Sequence, residues 1–289
     1  MAVFEVKDLK YQYGNKRKPG KFAVKGISFS IKEGQIFGLL GPSGAGKSTT
    51  QKIMTKLLPG YEGSILYHGK ELSSYGSDFF ESVGVGFELP VHFLKLTGLE
   101  NMKFFQNLYK SKADIEPLLK RVGLYEDKDK QVGEYSKGMK MRLNFVRALL
   151  NNPTFLFLDE VTNGLDPTNA KILKDLILEF KKQGGTVLLT THLMGDVEAL
   201  CDHVAFIKDG QIIESETPRN LKLKYGERKV VVEYQNKKSL KKAEFQLEGL
   251  GSNQAFLDLL QKEDIETIHS GETSLEDIFI KITGDDPHA

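Results

Sequence analysis

No run of apolar residues in this chain is long enough to cross a bilayer. The longest, such as "TFLFL" (154–158) and "TVLLT" (186–190), fall far short of the ~20 residues a spanning helix needs. A role at a membrane therefore requires a partner that supplies the membrane part. Cysteine is scarce too. The single Cys201 excludes an internal disulfide and suits a reducing interior. Nothing basic or nucleophilic accompanies it in sequence, so it reads as a small packed residue. A net charge of +1 excludes bulk attraction to nucleic acid or to an acidic membrane surface. The opening "MAVFEVKDLK" carries Glu5, Lys7, Asp8 and Lys10 and no apolar segment of a secretory signal. His68, His92, His203, His269 and His288 show no metal-ligand spacing and read as structural or solvated. Internal repeats and low-complexity segments are absent.

What is present is ordinary in bulk: 289 residues, 40% hydrophobic and 27% charged, with room for one large domain or two modest ones. Short continuous apolar runs recur at "IFGLL" (36–40), "VGVGF" (83–87), "FLFL" (155–158), "TVLLT" (186–190) and "VAFI" (204–207). Runs without alternation suggest strands buried on both faces, and helical patterns lie between several of them. The expected class is therefore α/β. The opening segments "FEVKDL", "FAVKGISFSI" and "GQIF" alternate between Gly-rich turns and predict antiparallel strands. Residues 89–150 interrupt the α/β alternation with "LENMKFFQNLYK" and "ADIEPLLKRVGL", a helical insert. Past residue 228 the pattern changes again. Strand-like "KVVVEY" and "AEFQLE" and helix-like "NQAFLDLLQ" and "TSLEDIFIKIT" predict an α+β domain over 229–289, with Ser274 and Asp277 at capping-box spacing. The Lys-rich stretch 237–242 reads as a solvated loop.

The chemistry concentrates in "GPSGAGKST" (41–49), which fits G-x-x-x-x-G-K-[ST] and follows a buried run. Gly41, Gly44 and Gly46 let backbone N–H groups turn toward phosphate oxygens, with Ser43 and Ala45 between them. The following helix adds its positive end beside Ser48 and Thr49. Lys47 can reach β- and γ-phosphates, and the Ser48 hydroxyl can ligate Mg²⁺. "FLFLDE" supplies the complementary acids: Asp159 for the metal's water shell and Glu160 to orient or deprotonate a water. "TTH" ends the next buried run and brings His192 to the same carboxyl edge. "YSKGM" (135–139) opens a helix capped by Ser136, with Met139, Leu143, Val146 and Leu150 at helical spacing.

The ordered set "GPSGAGKST", "YSKGM", "FLFLDE", "NGLDP" and "TTH" resembles the nucleotide-binding subunit of ABC transporters, over residues 3 to 225. The tail ending "TSLEDIFIKITG" resembles the extension of ATPase subunits from two-gene bacterial exporters of the drug, antibiotic and sodium type. The resemblance implies a P-loop NTPase core with an antiparallel β subdomain, a helical subdomain insert and a small C-terminal α+β extension. It implies ATP and Mg²⁺, a transmembrane permease partner, and a second ATPase subunit, either a copy or a homologue. It implies no nucleic acid, and a place on the cytoplasmic face of the cell membrane. By position, Tyr13 matches the aromatic residue that stacks on adenine, Glu160 the catalytic carboxylate and His192 the switch histidine. Asp166 matches the loop that crosses to the other subunit. Ser136 and Gly138 match the signature residues that touch ATP held by the partner's phosphate loop.

The chain departs from the family pattern twice. Glu88 stands where a Mg²⁺-ligating Gln is expected. "YSKGM" replaces Leu-Ser-Gly-Gly-Gln, so Lys137 adds a cation that could offset Glu88. Tuning of metal and nucleotide binding, and neutral drift, both account for the pair. The segment 14–21 reads as a solvated hairpin tip or a basic phosphate or membrane contact. Three functions stay open: an exporter ATPase, an ATPase of a membrane signalling or mechanotransmission complex, and a soluble ATPase of translation or repair. A single nucleotide domain, no long coiled coil and near-zero net charge count against the third.

Overall fold

In a computed structural model the described residues are 1–15, 18–89, 91–227, 229–236, 239–271 and 273–284. Part of the basic hairpin segment 14–21, part of the Lys-rich stretch 237–242 and His288 lie outside them; residues 239–242 of the Lys-rich stretch are described and form an exposed strand, not a loop. Contacts divide the described residues into a first unit, 1–217, and a second from residue 218 onward.

The first unit opens with β1 (Ala2–Asn15), β2 (Lys18–Lys32) and β3 (Ile36–Leu40), followed by α1 (Lys47–Met54), β4 (Glu62–Tyr67), β5 (Lys70–Glu71) and α2 (Asp78–Ser82). Next come β6 (Val83–Gly86), the insert helices α3 (Gly98–Gln106), α4 (Ile115–Arg121) and α5 (Lys137–Ala148), and β7 (Phe155–Asp159). The unit continues through α6 (Pro167–Lys182), β8 (Thr186–Thr191), α7 (Met194–Leu200), β9 (His203–Lys208) and β10 (Gln211–Glu216).

These strands form two sheets. One is antiparallel, in the order β2-β1-β4-β5; the other runs β10-β9-β3-β8-β7-β6 and is parallel except for β10. Every residue of β3 and β8 is buried, which is why their sequences do not alternate. Aromatic rings lock the sheets together. Phe4 of β1 sits edge-on to Phe155 and Phe157 of β7, at centroid distances of 4.8 and 5.7 Å. The "GQIF" segment does not extend the antiparallel sheet; Ile36 and Phe37 belong to β3 in the parallel one.

The insert between β6 and β7 is helical, as its sequence predicts. Thr97 and Glu100 form a reciprocal capping box at the start of α3. Asn101, fully buried, donates through Nδ2 to the carbonyls of Phe93 and Thr97 and accepts from the Phe93 N–H, which fixes the loop entering α3. The insert is held close to the core by Gly84: a Cβ there would lie 1.9 Å from the Ala148 carbonyl oxygen at the end of α5.

The second unit comprises α8 (Pro218–Tyr225), β11 (Lys229–Asn236), β12 (Ser239–Gln246), α9 (Gln254–Lys262), β13 (Asp264–Gly271) and α10 (Leu275–Thr283). Its three-stranded antiparallel sheet has the order β12-β11-β13. Val230 and Val232 of β11 and Leu275, Ile278 and Phe279 of α10 are buried, and Ser274 and Asp277 make the expected capping box. The sequence pattern puts the boundary at 228/229. Contacts place it at 217/218, because α8 packs with α10 and buries Leu221.

Candidate functional site

Parallel register brings the chemistry to one edge. Leu40 of β3 pairs with Thr191 of β8, and Asp159 of β7 pairs with Thr190. The three segments after these strands therefore leave the sheet side by side: the glycine loop, Glu160, and His192. Ligands of open α/β sheets bind at this carboxyl edge. A cavity of about 510 Å³ lies there, and Ser43, Gly44, Gly46, Lys47, Ser48 and Thr49 form one side of it. Glu88, Glu160, Asn163 and His192 form the other. Gly41 and Ala45 are buried behind this lining.

The loop must be glycine where it is tightest. Gly46 has φ 110°, and a Cβ there would meet the Ala23 carbonyl oxygen at 2.5 Å. A Cβ on Gly41 would fall 2.1 Å from the Ile207 carbonyl oxygen on β9. Lys47, the first residue of α1, is 7% exposed, and its Nζ donates to the carbonyls of Gly41 (2.6 Å) and Pro42 (3.1 Å). Burial lowers its pKa, while Glu160, Asp159 and Glu88 oppose that shift. The ammonium thus folds back onto its own loop, next to three carboxylates.

Ser48 Oγ lies 3.5 Å from Asp159 Oδ1, and Thr190 Oγ1 donates to the same carboxylate oxygen. Gln51 of α1 joins this buried network, its side-chain amide 3.0 Å from Thr190 Oγ1. A serine hydroxyl facing a carboxylate is a hard-oxygen pair that suits Mg²⁺. Among the described residues no three His, Cys, Asp or Glu side chains form a preformed metal cage. The donor set fits a cation that completes its shell with phosphate and water oxygens.

Glu160 has φ 50°, left-handed for a side chain with a Cβ. Such backbone costs about 1–3 kcal/mol and persists only where its surroundings impose it. Here the Glu160 N–H still donates to the Thr190 carbonyl at 2.9 Å, while the kink turns the side chain toward the cavity. Its two oxygens are both engaged: Oε1 with His192 Nδ1 at 2.9 Å, and Oε2 accepting from Thr191 Oγ1 at 3.3 Å. The carboxylate is nine-tenths buried, yet held at the wall of an open space, as a group poised to bind water must be.

Tyr13 is 44% exposed, and its hydroxyl lies 3.2 Å from Thr49 Oγ1, so the ring stands beside the phosphate loop. Ser136, Gly138 and Asp166 do not line the cavity of their own chain. Ser136 caps α5 by accepting from the Met139 N–H. Gly138 lies against Asn169, which donates to Asp166. Hydrogen bonds from Asn169 hold the Asp166 carboxyl below its ordinary range. Lys137 lies off the cavity of its own chain, with its Nζ beside Gly164. Tyr135 is buried and donates to the Asp127 carbonyl at 2.7 Å; a Cβ on Gly98 would collide with its hydroxyl. Burial pushes its pKa up to about 12. The residues that the motifs alone did not mark are Asn163, Gln51, Thr190 and Thr191. Asn163 and both threonines stand inside the quoted motifs, so only their roles needed the fold.

The family model for ABC transporters matches residues 24–163, and the model for the fluoroquinolone efflux ABC transporter C-terminal domain matches residues 228–272. A fluoroquinolones export ATP-binding protein of Mycobacterium tuberculosis is 48% identical over 98% of this chain and 93% of its own length. A lantibiotic transport ATP-binding protein of Streptococcus pyogenes is 36% identical over 73% of this chain and 89% of its own. Among solved structures, an ATP-binding subunit of an ABC transporter superposes with a TM-score of 0.68 at 28% identity, over 77% of this chain and 93% of that one.

Proposed function

The chain belongs to the ATP-binding subunits of ABC transporters, which makes it an ATPase, and from that premise we propose that it powers drug export through a separate transmembrane permease. Among its described residues no helix is long and apolar enough to cross a membrane, so the translocation path would belong to that partner. The chain would then work at the cytoplasmic face of the membrane. The observation that carries the cargo class is that the similarity to the fluoroquinolones export relative spans both units, including the 228–272 match. The lantibiotic relative covers 73% of the chain, so it speaks less for the second unit. A fluoroquinolone is therefore the cargo we assign.

In the proposed cycle ATP lies with its phosphates in the glycine loop, and Lys47 leaves its carbonyl contacts to meet the β- and γ-phosphates. Tyr13 offers its ring to adenine. Glu160 orients a water and takes its proton as the water oxygen attacks the γ-phosphorus, giving ADP and phosphate. His192 and Thr191 hold the Glu160 carboxylate at the cavity wall; in the cycle His192 exchanges this contact for the γ-phosphate as Glu160 takes up the water. Bound Mg²⁺ would supply charge neutralisation at the phosphate oxygens, with Ser48, Asp159 and Glu88 the residues that would hold it. Ser136 and Gly138, with the positive end of α5, would face the γ-phosphate held by a second copy or a homologous subunit, and Asp166 would cross to it. That they stand off the cavity of their own chain supports a site completed in pairs.

Co-expressed with a membrane protein encoded beside it, the chain is expected to co-purify, and a fluoroquinolone should stimulate its ATPase severalfold. Stable co-purification with stimulation by another cargo class, and none by fluoroquinolones, would overturn the cargo assignment. Loss of both would overturn the exporter reading.

Glu88 gives a further expectation. It is exposed at the cavity wall and adds negative charge beside Lys47. Glu88→Gln should raise the Mg²⁺ concentration for half-maximal hydrolysis by up to about fivefold, the size of an exposed charge interaction. A Mg²⁺ titration of the ATPase indistinguishable from the parent's removes Glu88 from the metal site.

A further inference from the structure

Outside the cavity, the described residues of the first unit bury one charged group that the proposed cycle does not use. Asp196 of α7 is 5% exposed. Its Oδ1 lies 2.5 Å from Lys174 Nζ of α6, and its Oδ2 accepts from Thr162 Oγ1, itself 5% exposed. A buried carboxylate persists only when paired and hydrogen-bonded, and this one has both.

The three partners lie on the segments that carry the reaction. Thr162 stands two residues after Glu160, in the turn where the Asn163 N–H donates to the Glu160 carbonyl at 3.0 Å and the Leu165 N–H donates to the Thr162 carbonyl at 3.2 Å. Asp196 stands four residues after His192, and its N–H donates to the Leu193 carbonyl at 3.1 Å. Lys174 projects from α6, the helix that Asp166 caps. The Glu160 turn and the His192 turn are thus tied twice. One tie is in the cavity, through Glu160–His192 and Glu160–Thr191. The other is behind it, through Thr162–Asp196. The cavity tie must loosen when Glu160 and His192 engage water and phosphate, because their atoms are then needed there. The rear tie uses neither residue and can stay closed throughout.

We infer that Thr162, Asp196 and Lys174 are positioning residues: a buried clamp that keeps the Glu160 and His192 turns in register while the two side chains exchange partners. This rests on the proposed roles of Glu160 and His192. The clamp acts on the placement of the base, not on the nucleotide, so its loss should appear in kcat and not in the KM for ATP. Misplacement of a catalytic group by about 1 Å can cost about 10²-fold.

The test is ATP hydrolysis by the full chain carrying Thr162→Val, Thr162→Ser or Asp196→Asn. Thr162→Val keeps the shape of the side chain and deletes the hydroxyl. It should lower kcat by at least about tenfold with the KM for ATP within about twofold of the parent. Thr162→Ser, which restores the donor, should recover most of the rate; the valine variant, which leaves a buried carboxylate short of one donor, should melt lower, so rates are compared per folded, ATP-binding molecule. Asp196→Asn keeps an acceptor for Thr162 but loses the charge facing Lys174, and should fall between them. A parental kcat in Thr162→Val overturns the clamp. So does a serine variant as slow as the valine one, or a loss of rate matched by loss of folded, ATP-binding protein. Glu160→Gln is run alongside: if that variant keeps the parental rate, the role of Glu160 fails, and the fault lies in the proposed cycle and not in the clamp alone.

Discussion

Glu160→Gln lowers ATP turnover by about 10²–10⁴-fold, the usual worth of a positioned general base, and leaves ATP binding in place. The substitution is nearly isosteric, so the kinked backbone at φ 50° and the buried side-chain volume are kept. A carboxamide oxygen can still accept from Thr191 Oγ1, and the amide can still meet His192 Nδ1. What disappears is the ability to take a proton from water. Lys47, Ser48 and the glycine loop are untouched, so the nucleotide still docks. Removing a negative group from beside the γ-phosphate favours docking further. If the working site is completed by a second subunit, this variant should also accumulate as an ATP-bound pair that cannot reset. Single-turnover hydrolysis and sedimentation with and without ATP read the two effects. A variant that keeps more than about a tenth of parental turnover rules Glu160 out as the base.

The pieces of the site were legible because each is a continuous stretch with its own chemistry. A glycine loop after a buried run, an acidic pair after a second and a histidine after a third can each be read locally. Their convergence follows from the parallel sheet, since parallel strands end on the same edge. Strand order was not legible. Only with β7 beside β8 does Glu160 meet His192, and nothing near either residue encodes that neighbour. The left-handed backbone at Glu160 escaped for a related reason: it is imposed by the Thr190 carbonyl on the adjacent strand, against the local preference of a glutamate. "GQIF" misled because a short apolar strand at the sheet centre carries no periodicity that separates it from an edge hairpin. "DIETIHSG" hid β13, since a strand half-covered at the edge of a small sheet alternates too weakly to stand out. Lys137 shows what motif reading leaves open. It aligns with a signature segment expected to face a partner's nucleotide, and in its own chain its ammonium lies beside Gly164, off the cavity.

That leaves Lys47 as the principal cation of the cavity wall, and Lys47→Ala should weaken ATP binding by about 10–100-fold, as expected for losing charge-assisted bonds worth about 1.5–3 kcal/mol. Burial works against the ammonium's charge, and Glu160, Asp159 and Glu88 work for it. In this structure it is satisfied by the Gly41 and Pro42 carbonyls, both neutral acceptors. Exchanging neutral carbonyls for phosphate oxygens strengthens each bond, so binding energy comes from the change of partner rather than from a new group arriving. Without Lys47, the triphosphate would face three carboxylates with Mg²⁺ and backbone dipoles but no side-chain ammonium to balance them. Hydrolysis should fall further than binding, because negative charge on the γ-phosphoryl oxygens must be held as the bond to ADP breaks. Folding should not suffer, since the substitution removes a buried charge and leaves Gly41 and Gly46 in place. Calorimetric ATP titration beside a melting curve measures both. Parental ATP affinity in a fully folded Lys47→Ala protein would remove the lysine from the nucleotide site.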